Sequence, residues 1–449
     1  MKKKIIMFAA LALIALSMHA QSFQQALFLD GYRLGYRYNP ALQNESGFLS
    51  VGQFANQTRN NFGAASFLYP RDGEVVTALH SSVTADEFLG SLQDDNRFTS
   101  NIDYSLFSFG WKKDKAYHTI EANIRAAYGA SIPKEIFAIA KLGTGDGAYD
   151  VSGMNVWGNV MAELAYGFSY KFSDIISVGA RAKLLVGIES LNYNVTKFDM
   201  TCSEDAYQAD IEANLDFTSR WKKVRTNDDG YMNFLDLSSK DRWKLPSGAG
   251  LAVDLGVTVT PLEGLTLSAS MLDLGGMLWY YGNCGKSQGT TTFTGIQSLT
   301  MEELQEGKIM DKFSDVKDSF LNSLKLKALD DKTVLEGIPF NINLGAKYEM
   351  PFYRALAIGS TANYISGRSM TYREVRGVLA WNPCACFGIT GNYGTGTHGQ
   401  VWSCALSAAV CKFHMTAAYS NGFGGTIPYS STPLQPNNKM LTVGLTYDL

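Results

Sequence analysis

Between Ile338 and Met350 the chain reads I-P-F-N-I-N-L-G-A-K-Y-E-M. Ile338, Phe340, Ile342, Leu344, Ala346, Tyr348 and Met350 form one apolar row, and Asn341, Asn343, Gly345, Lys347 and Glu349 form a second, small or polar row. Successive side chains of a strand point to opposite faces, so the stretch is a period-2 strand; a helix would scatter both rows around its surface. A length of ~10–13 residues suits a tilted strand crossing a hydrocarbon layer. The pattern recurs along the chain. Val160 to Phe172 sets Val160, Ala162, Leu164, Tyr166, Phe168, Tyr170 and Phe172 against Glu163, Gly167, Ser169 and Lys171. Ile176–Ile188 and Leu251–Val259 repeat the pattern, and the last strand carries Leu441, Val443, Leu445, Tyr447 and Leu449 on one face.

The chain has 449 residues, 18% charged and 12% aromatic, with a net charge of −3. That balance gives no electrostatic case for nucleic acid. No apolar run of ~18 residues lies beyond the N-terminus, which argues against a helical membrane protein; β-barrels escape that test because their rows alternate. Lys2–Lys4, the apolar Ile5–Leu16 and Ser17-Met18-His19-Ala20 have the layout of a signal peptide cleaved after Ala20. The expected location is the bacterial outer membrane.

The expected organisation is a signal peptide over 1–20, an N-terminal plug or arm over 21–46 and an outer-membrane β-barrel over 47–449. Strands are expected at 47–54, 61–69, 73–80, 103–111, 116–128, 158–172, 175–189, 250–260 and 265–274. The last third is a meander over 338–350, 354–365, 369–381, 384–393, 399–410, 413–421 and 439–449. The fold class is thus all-β: a transmembrane antiparallel up-and-down barrel of about 14–16 strands, with an N-terminal plug and helix-containing extracellular loops. The even count near 16 becomes 14 if the first hairpin belongs to the plug. Large loops span 191–247 and 275–337. Lys134–Leu142 reads as a helix within a loop. Thr300 with Glu303 forms a capping box ahead of Phe313, Val316, Phe320 and Leu324 at helical spacing. Strand parity puts Leu344 in lipid, where arginine would cost about 2–4 kcal/mol, and Asn343 in a wet lumen, where arginine would be mild.

The element Asn39-Pro40-Ala41-Leu42, followed by a meander ending Thr442-Val443-Gly444-Leu445-Thr446-Tyr447-Asp448-Leu449, resembles a Bacteroidota outer-membrane barrel family of unknown function. That family is distantly similar to FadL-type long-chain fatty acid transporters. The resemblance covers essentially the whole chain after the signal peptide. It implies an N-terminal plug, with Asn39, Pro40, Ala41 and Leu42 as its motif, and a lumen that takes hydrophobic ligands. The chain departs from many such barrels by ending in Leu449 and not in an aromatic; Tyr447 is the nearest substitute. Related Asn-Pro-Ala elements occur in barrels attached to type IX secretion, so an interaction or anchoring protein is the alternative to a passive transporter or channel.

Nothing in the sequence argues for catalysis. His80, His118, His398 and His414 lie in separate elements with no metal-site or nucleophile spacing. The expectation is a non-enzymatic protein with no catalytic residues, no metal and no cofactor. Its expected partners are outer-membrane lipid, a hydrophobic small-molecule ligand and surface or secretion proteins. The inward rows supply candidate ligand-binding residues of both signs: Glu121, Arg125, Glu163, Lys171, Arg181, Lys183, Asp254, Lys347 and Glu349. Such charges pair within a wet interior, because burying them unpaired is costly. Among the six cysteines, Cys202 and Cys284 fall in long loops on one side and are the favoured disulfide. Cys384 with Cys411 is a second possible bridge, Cys404 is expected as a lipid-facing thiol and Cys386 inside the barrel. The alternative is that all six are small apolar fillers.

Overall fold

The structure is a computed structural model that describes residues 24–449 apart from 72, 144–146, 203–206, 240–245, 294–324, 368–370, 398 and 423–436. The signal-peptide segment and the Thr300–Leu324 helix signal lie outside the described residues.

Fourteen strands form the barrel: β1 Phe48–Asn60, β2 Asp95–Lys113, β3 Ala116–Pro133, β4 Asn155–Lys171, β5 Ile176–Cys202, β6 Gly248–Leu262 and β7 Leu265–Tyr281, then β8 Asn341–Met350, β9 Tyr353–Ile365, β10 Tyr372–Cys384, β11 Phe387–Gly396, β12 Gly399–Val410, β13 Phe413–Gly422 and β14 Asn437–Asp448. Each pairs antiparallel with its chain neighbours, and β14 returns to β1 with Phe48 opposite Asp448, so the sheet closes. Closure leaves the barrel wall no open edge, which a spanning sheet requires.

Burial is inside out. Leu164, Leu184, Leu251, Leu344, Ile358, Val375, Leu379, Val443 and Leu445 are exposed, while Glu121, Glu163, Arg181, Asp254 and Arg376 are buried. A water-soluble sandwich would reverse that order, whereas a barrel in lipid demands it. Among the described residues no helix is long and apolar enough to cross a membrane, a test that does not apply to strands.

One rim carries tight turns, including Asp114-Lys115, Glu263-Gly264 and Cys411-Lys412. Asp114, Gly264 and Cys411 each adopt positive φ there, the backbone that two-residue hairpins need. The opposite rim carries long connections. β5 has 27 residues; at about 3.3 Å each it runs about 90 Å, far beyond a ~30 Å hydrocarbon core. Beyond the barrel it pairs with Tyr207–Ser219, which pairs with Asn283–Phe293, continuing the wall outward as a sheet.

Two expected barrel strands are not in the barrel. Residues 61–69 and 73–80 instead make a short hairpin, Leu68–Arg71 with Glu74–Thr77, on the long-loop rim. Their apolar side chains are used in a small cap: Phe67 packs on Phe88 of helix α1 (Ala85–Gly90) and on Phe137 of helix α2 (Lys134–Leu142), ring centroids 5.8 and 5.4 Å apart. Thr84 caps α1 by accepting a hydrogen bond from the Glu87 amide at 3.1 Å.

Candidate functional site

Most of residues 24–46 lies inside the barrel, with Asp30 and Glu45 exposed. The segment has no strand periodicity but many large apolar residues, and two 3-10 turns, Gln24–Leu27 and Gly35–Arg37, fold it compactly. Phe28, Leu29, Leu34, Tyr36 and Tyr38 are almost fully buried and pack with small wall residues such as Ala55, Ala357, Ala380, Ala405 and Ala418. Polar side chains fasten its periphery. Gln25 donates to Ser403 at 2.8 Å, and Asn382 donates to the Phe28 carbonyl at 2.9 Å. Arg33 forks onto Asp448 at 2.8 and 2.6 Å, and Lys347 reaches Asp30 at 2.8 Å. Tyr32, on this segment and not on a spanning strand, accepts from Gln53 at 3.0 Å; burial pushes its phenol up to about 12 and keeps it neutral.

Asn39, Pro40, Ala41 and Leu42 dock on the wall built by β5, β6 and β7. The Asn39 amide donates to the Val257 carbonyl at 3.0 Å and to Ser268 at 2.8 Å, while its carbonyl oxygen accepts from the Ala41 amide at 2.9 Å. Ser177 donates to the Ala41 carbonyl at 3.0 Å, and Ser270 donates to the Tyr38 carbonyl at 2.6 Å. Gly179 and Gly256 are directly paired across β5 and β6, and a Cβ on either would strike Pro40 or Asn39. The close approach explains glycine at both positions.

Above this anchor an ion-pair network crosses the lumen. Arg125 forks onto Asp273 at 2.8 and 2.9 Å and also reaches Glu163 at 2.8 Å. Lys183 lies 2.7 Å from both Asp254 and Asp273; Arg181 bonds Asp254 at 2.8 Å and pairs with Glu121. Arg37 of the N-terminal segment completes the network, bonding Glu121 at 2.8 Å and Asp103 at 3.2 Å and also reaching Asn123. Tyr36 adds a hydroxyl donor to Glu121 at 2.9 Å. Five carboxylates thus face four cations, all desolvated enough for their pairing to be obligatory. Asp273 adopts φ 62°, a conformation strained for a non-glycine residue, and its amide donates to Asp254 at 2.7 Å. The cavity left between network and N-terminal segment measures only about 60 Å³, room for a few waters.

Six of the expected lumen residues, Glu121, Arg125, Glu163, Arg181, Lys183 and Asp254, come together in this network. Lys347 and Glu349 form a separate pair, 3.2 Å apart, beside Asp30. Lys171 does not join: it sits at the tight-turn rim, half exposed, paired with Asp174 at 3.0 Å. Sequence reasoning missed Arg37, Asp103 and Asp273. Asp273 lies in a register shift that breaks alternation, and Arg37 lies in a segment that has none. It also missed a second buried cluster, where Arg376 pairs with Glu374 and donates to Ser403 at 2.8 Å, and Arg59 lies 4.3 Å from the Tyr372 ring centre. Higher in the lumen, Trp157, Met161, Met277 and Trp279 line a cavity of about 40 Å³ together with Arg125 and Glu336. The lumen is therefore filled where the alternation alone suggested a wet interior.

The expected cysteine pairings are corrected. Cys202 and Cys284 are separate buried thiols. Cys202 faces Tyr207 and Cys284 faces Asp216 on the same intervening strand, so roughly 30 Å of strand separates them. Cys384 is bonded to Cys386 across a tight turn at the rim, leaving Cys411 free. Cys386 is thus exposed and not lumenal; Cys404 is an exposed thiol on the lipid face.

A family model described as a family of unknown function, DUF5723, matches residues 40–419. The chain belongs to that family. No curated protein matches it. Among solved structures it is similar to a Pseudomonas aeruginosa FadL homologue, at 10% identity and a TM-score of 0.47, over 96% of this chain and 99% of that one. It is similar to the Ralstonia pickettii toluene transporter TbuX at 10% identity and a TM-score of 0.45, over 96% and 99%. The Pseudomonas putida toluene transporter TodX follows at 8% and 0.42, over 91% and 92%. The closed wall, the inside-out burial and the single rim of tight turns are those of an outer-membrane β-barrel.

Proposed function

We propose that the protein is a passive, plugged conduit for hydrophobic or other small molecules across the outer membrane. Residues 24–46 are its plug, and the network of Glu121, Arg125, Glu163, Arg181, Lys183 and Asp254 is its constriction. The observation that carries the reading is the mode of attachment. In the middle of the lumen the segment places Arg37, one guanidinium shared among Asp103, Glu121 and Asn123. The segment adds no strand to the wall and is held by packing, ion pairs and side-chain hydrogen bonds, so it can be displaced while the wall's own ladder persists. Small molecules would then pass between the apolar upper cavity around Trp157 and Trp279 and the opposite rim. No residue is assigned a chemical step.

Planar-bilayer recording tests the reading. The wild type should conduct rarely, and deletion of Gln25–Tyr36 should give a folded barrel with raised leak of small solutes. Unchanged conductance in a correctly inserted deletion variant overturns it. A second reading, a barrel that anchors a surface or secretion partner, is favoured by the sheet that Ile176–Cys202, Tyr207–Ser219 and Asn283–Phe293 project beyond the barrel. Proteins co-purifying after gentle extraction, with no small molecule retained in the lumen, would favour it.

A further inference from the structure

Three neighbouring strands carry an aromatic patch on their outer faces near the tight-turn rim. Trp111 of β2 stacks on His118 of β3, ring centroids 5.0 Å apart and planes 8° from parallel. Phe168 of β4 meets the same imidazole edge-on at 5.3 Å, and Phe109 packs on Trp111 at 5.5 Å. The Tyr166 hydroxyl lies 2.8 Å from His118 Nδ1. That contact fixes the ring and uses one nitrogen; among the described residues Nε2 has no hydrogen bond.

Two lysines lie just below. Strand alternation puts Lys113 on the outer face with Phe109, Trp111 and the lipid, and puts Lys112 on the other face, where it bonds Glu45 in an exposed contact at the rim, 2.9 Å long. Lys115 follows at the turn and is exposed. Other basic residues of this rim are already engaged: Lys171 with Asp174 at 3.0 Å, Arg354 with Glu263, and Lys412 over the Tyr447 ring at 5.6 Å. Among the described residues Lys113 and Lys115 have no carboxylate within ion-pair distance. Asp114, in the turn between them, offsets part of their charge.

Depth matches these groups to a lipid. Aromatic side chains of spanning proteins sit at headgroup level. Lys113 is two residues nearer the rim than Trp111, about 7 Å along the strand, and its long stem lets the ammonium reach the phosphate layer. We propose that this patch binds one anionic phospholipid of the leaflet at the tight-turn rim. Its phosphate lies between Lys113 and Lys115, its glycerol and ester region against His118 Nε2, and its acyl chains along the outer face of β3 and β4.

The test uses the full barrel reconstituted in vesicles of equal phosphatidylglycerol and phosphatidylcholine, extracted gently and weighed intact by native mass spectrometry. The wild type should retain phosphatidylglycerol in preference. A lysine near an anionic surface is worth about fivefold, so Lys113→Gln with Lys115→Gln should lower that retention by roughly 25-fold. Lys113→Arg with Lys115→Arg should keep it, and Lys412→Gln should change nothing. His118→Phe preserves the stack but removes Nε2, and should lower retention by a smaller factor. Equal retention of the two lipids by the wild type overturns the proposal. So does retention by the inserted glutamine variant at the wild-type level, or no loss in His118→Phe.

Discussion

Arg37→Met removes the guanidinium that ties the N-terminal segment to the lumen wall while keeping most of the stem that packs there. The lost contacts are those to Glu121 at 2.8 Å, Asp103 at 3.2 Å and Asn123. Glu121 is 1% exposed, so water cannot replace the missing donor in place. Stripping one partner from a buried pair costs about 3–5 kcal/mol. Arg181 and the Tyr36 hydroxyl still reach Glu121, which favours the lower end, ~3 kcal/mol. Arg37 is on the segment and its acceptors are on the wall, so the loss falls on docking and not on the strand ladder. The undocked fraction should therefore rise about 150-fold. Trypsin added to the tight-turn side of vesicle-inserted protein reports this through cleavage after Arg33, which is well shielded when docked to Asp448. If undocking is fast relative to cleavage, the rate follows the undocked population. Adding Glu121→Gln should recover part of the loss, because it removes the stranded charge. Wild-type cleavage rates in a correctly inserted Arg37→Met protein would refute the reasoning.

Leu344→Arg should weaken insertion into liposomes by about 2–4 kcal/mol, because Leu344 is half exposed on the lipid face; urea titration with the wild type as reference measures it, and an unchanged midpoint sinks the face assignment. Asn343→Ala should cost only about 0.5–1.5 kcal/mol in the same assay, since the Tyr38 carbonyl keeps Ser270 and Asn363 keeps Asn341 when Asn343 is lost. Gly256→Val should push Asn39 and Pro40 off the wall at a cost of about 1–3 kcal/mol, yet be neutral once residues 24–46 are deleted; a cost that survives the deletion contradicts the docking. In non-reducing peptide maps Cys384 and Cys386 should be linked within one peptide while Cys411 takes up alkylating reagent; a Cys384–Cys411 link would count against the turn geometry.

The barrel was legible because lipid imposes a strict rule on each strand. Leu344 and Asn343 declare their faces by parity, and rows such as Val160–Phe172, Ile176–Ile188 and Leu251–Val259 do the same. Parity does not distinguish a spanning strand from a short surface hairpin, so Glu74–Thr77 read as a barrel strand, while of its side chains Val76 packs on the Phe67–Phe88–Phe137 cap. Nor does it say what fills the interior. Asn343 points inward as expected, but it meets the Tyr38 carbonyl and not water. The inward charges on β3 to β6 and on β8 could be found from their rows, and six of nine converge. Asp273 escaped because the register shifts beside it, and Arg37 because a packed segment without periodicity leaves no trace beyond its aromatics. The cysteine pairing failed for a different reason: Cys202 and Cys284 lie in stretches read as loops, which are in fact strands fixed at different heights of one ladder.

Arg33 and Asp448 stand 415 positions apart, and Phe48 pairs with Asp448 across nearly the same span. Contacts of such separation form late, after shorter-range ones. Asn39 to Ala41 can dock once β5 to β7 have paired, but Arg33 finds Asp448 only when β14 is in place. The arrival of Arg33 on Asp448 therefore happens only if the ring has closed in the right register. The same ion pair that holds the segment is in this sense a check on the finished circle: a barrel one strand short or one residue out of step offers Arg33 no carboxylate at that position.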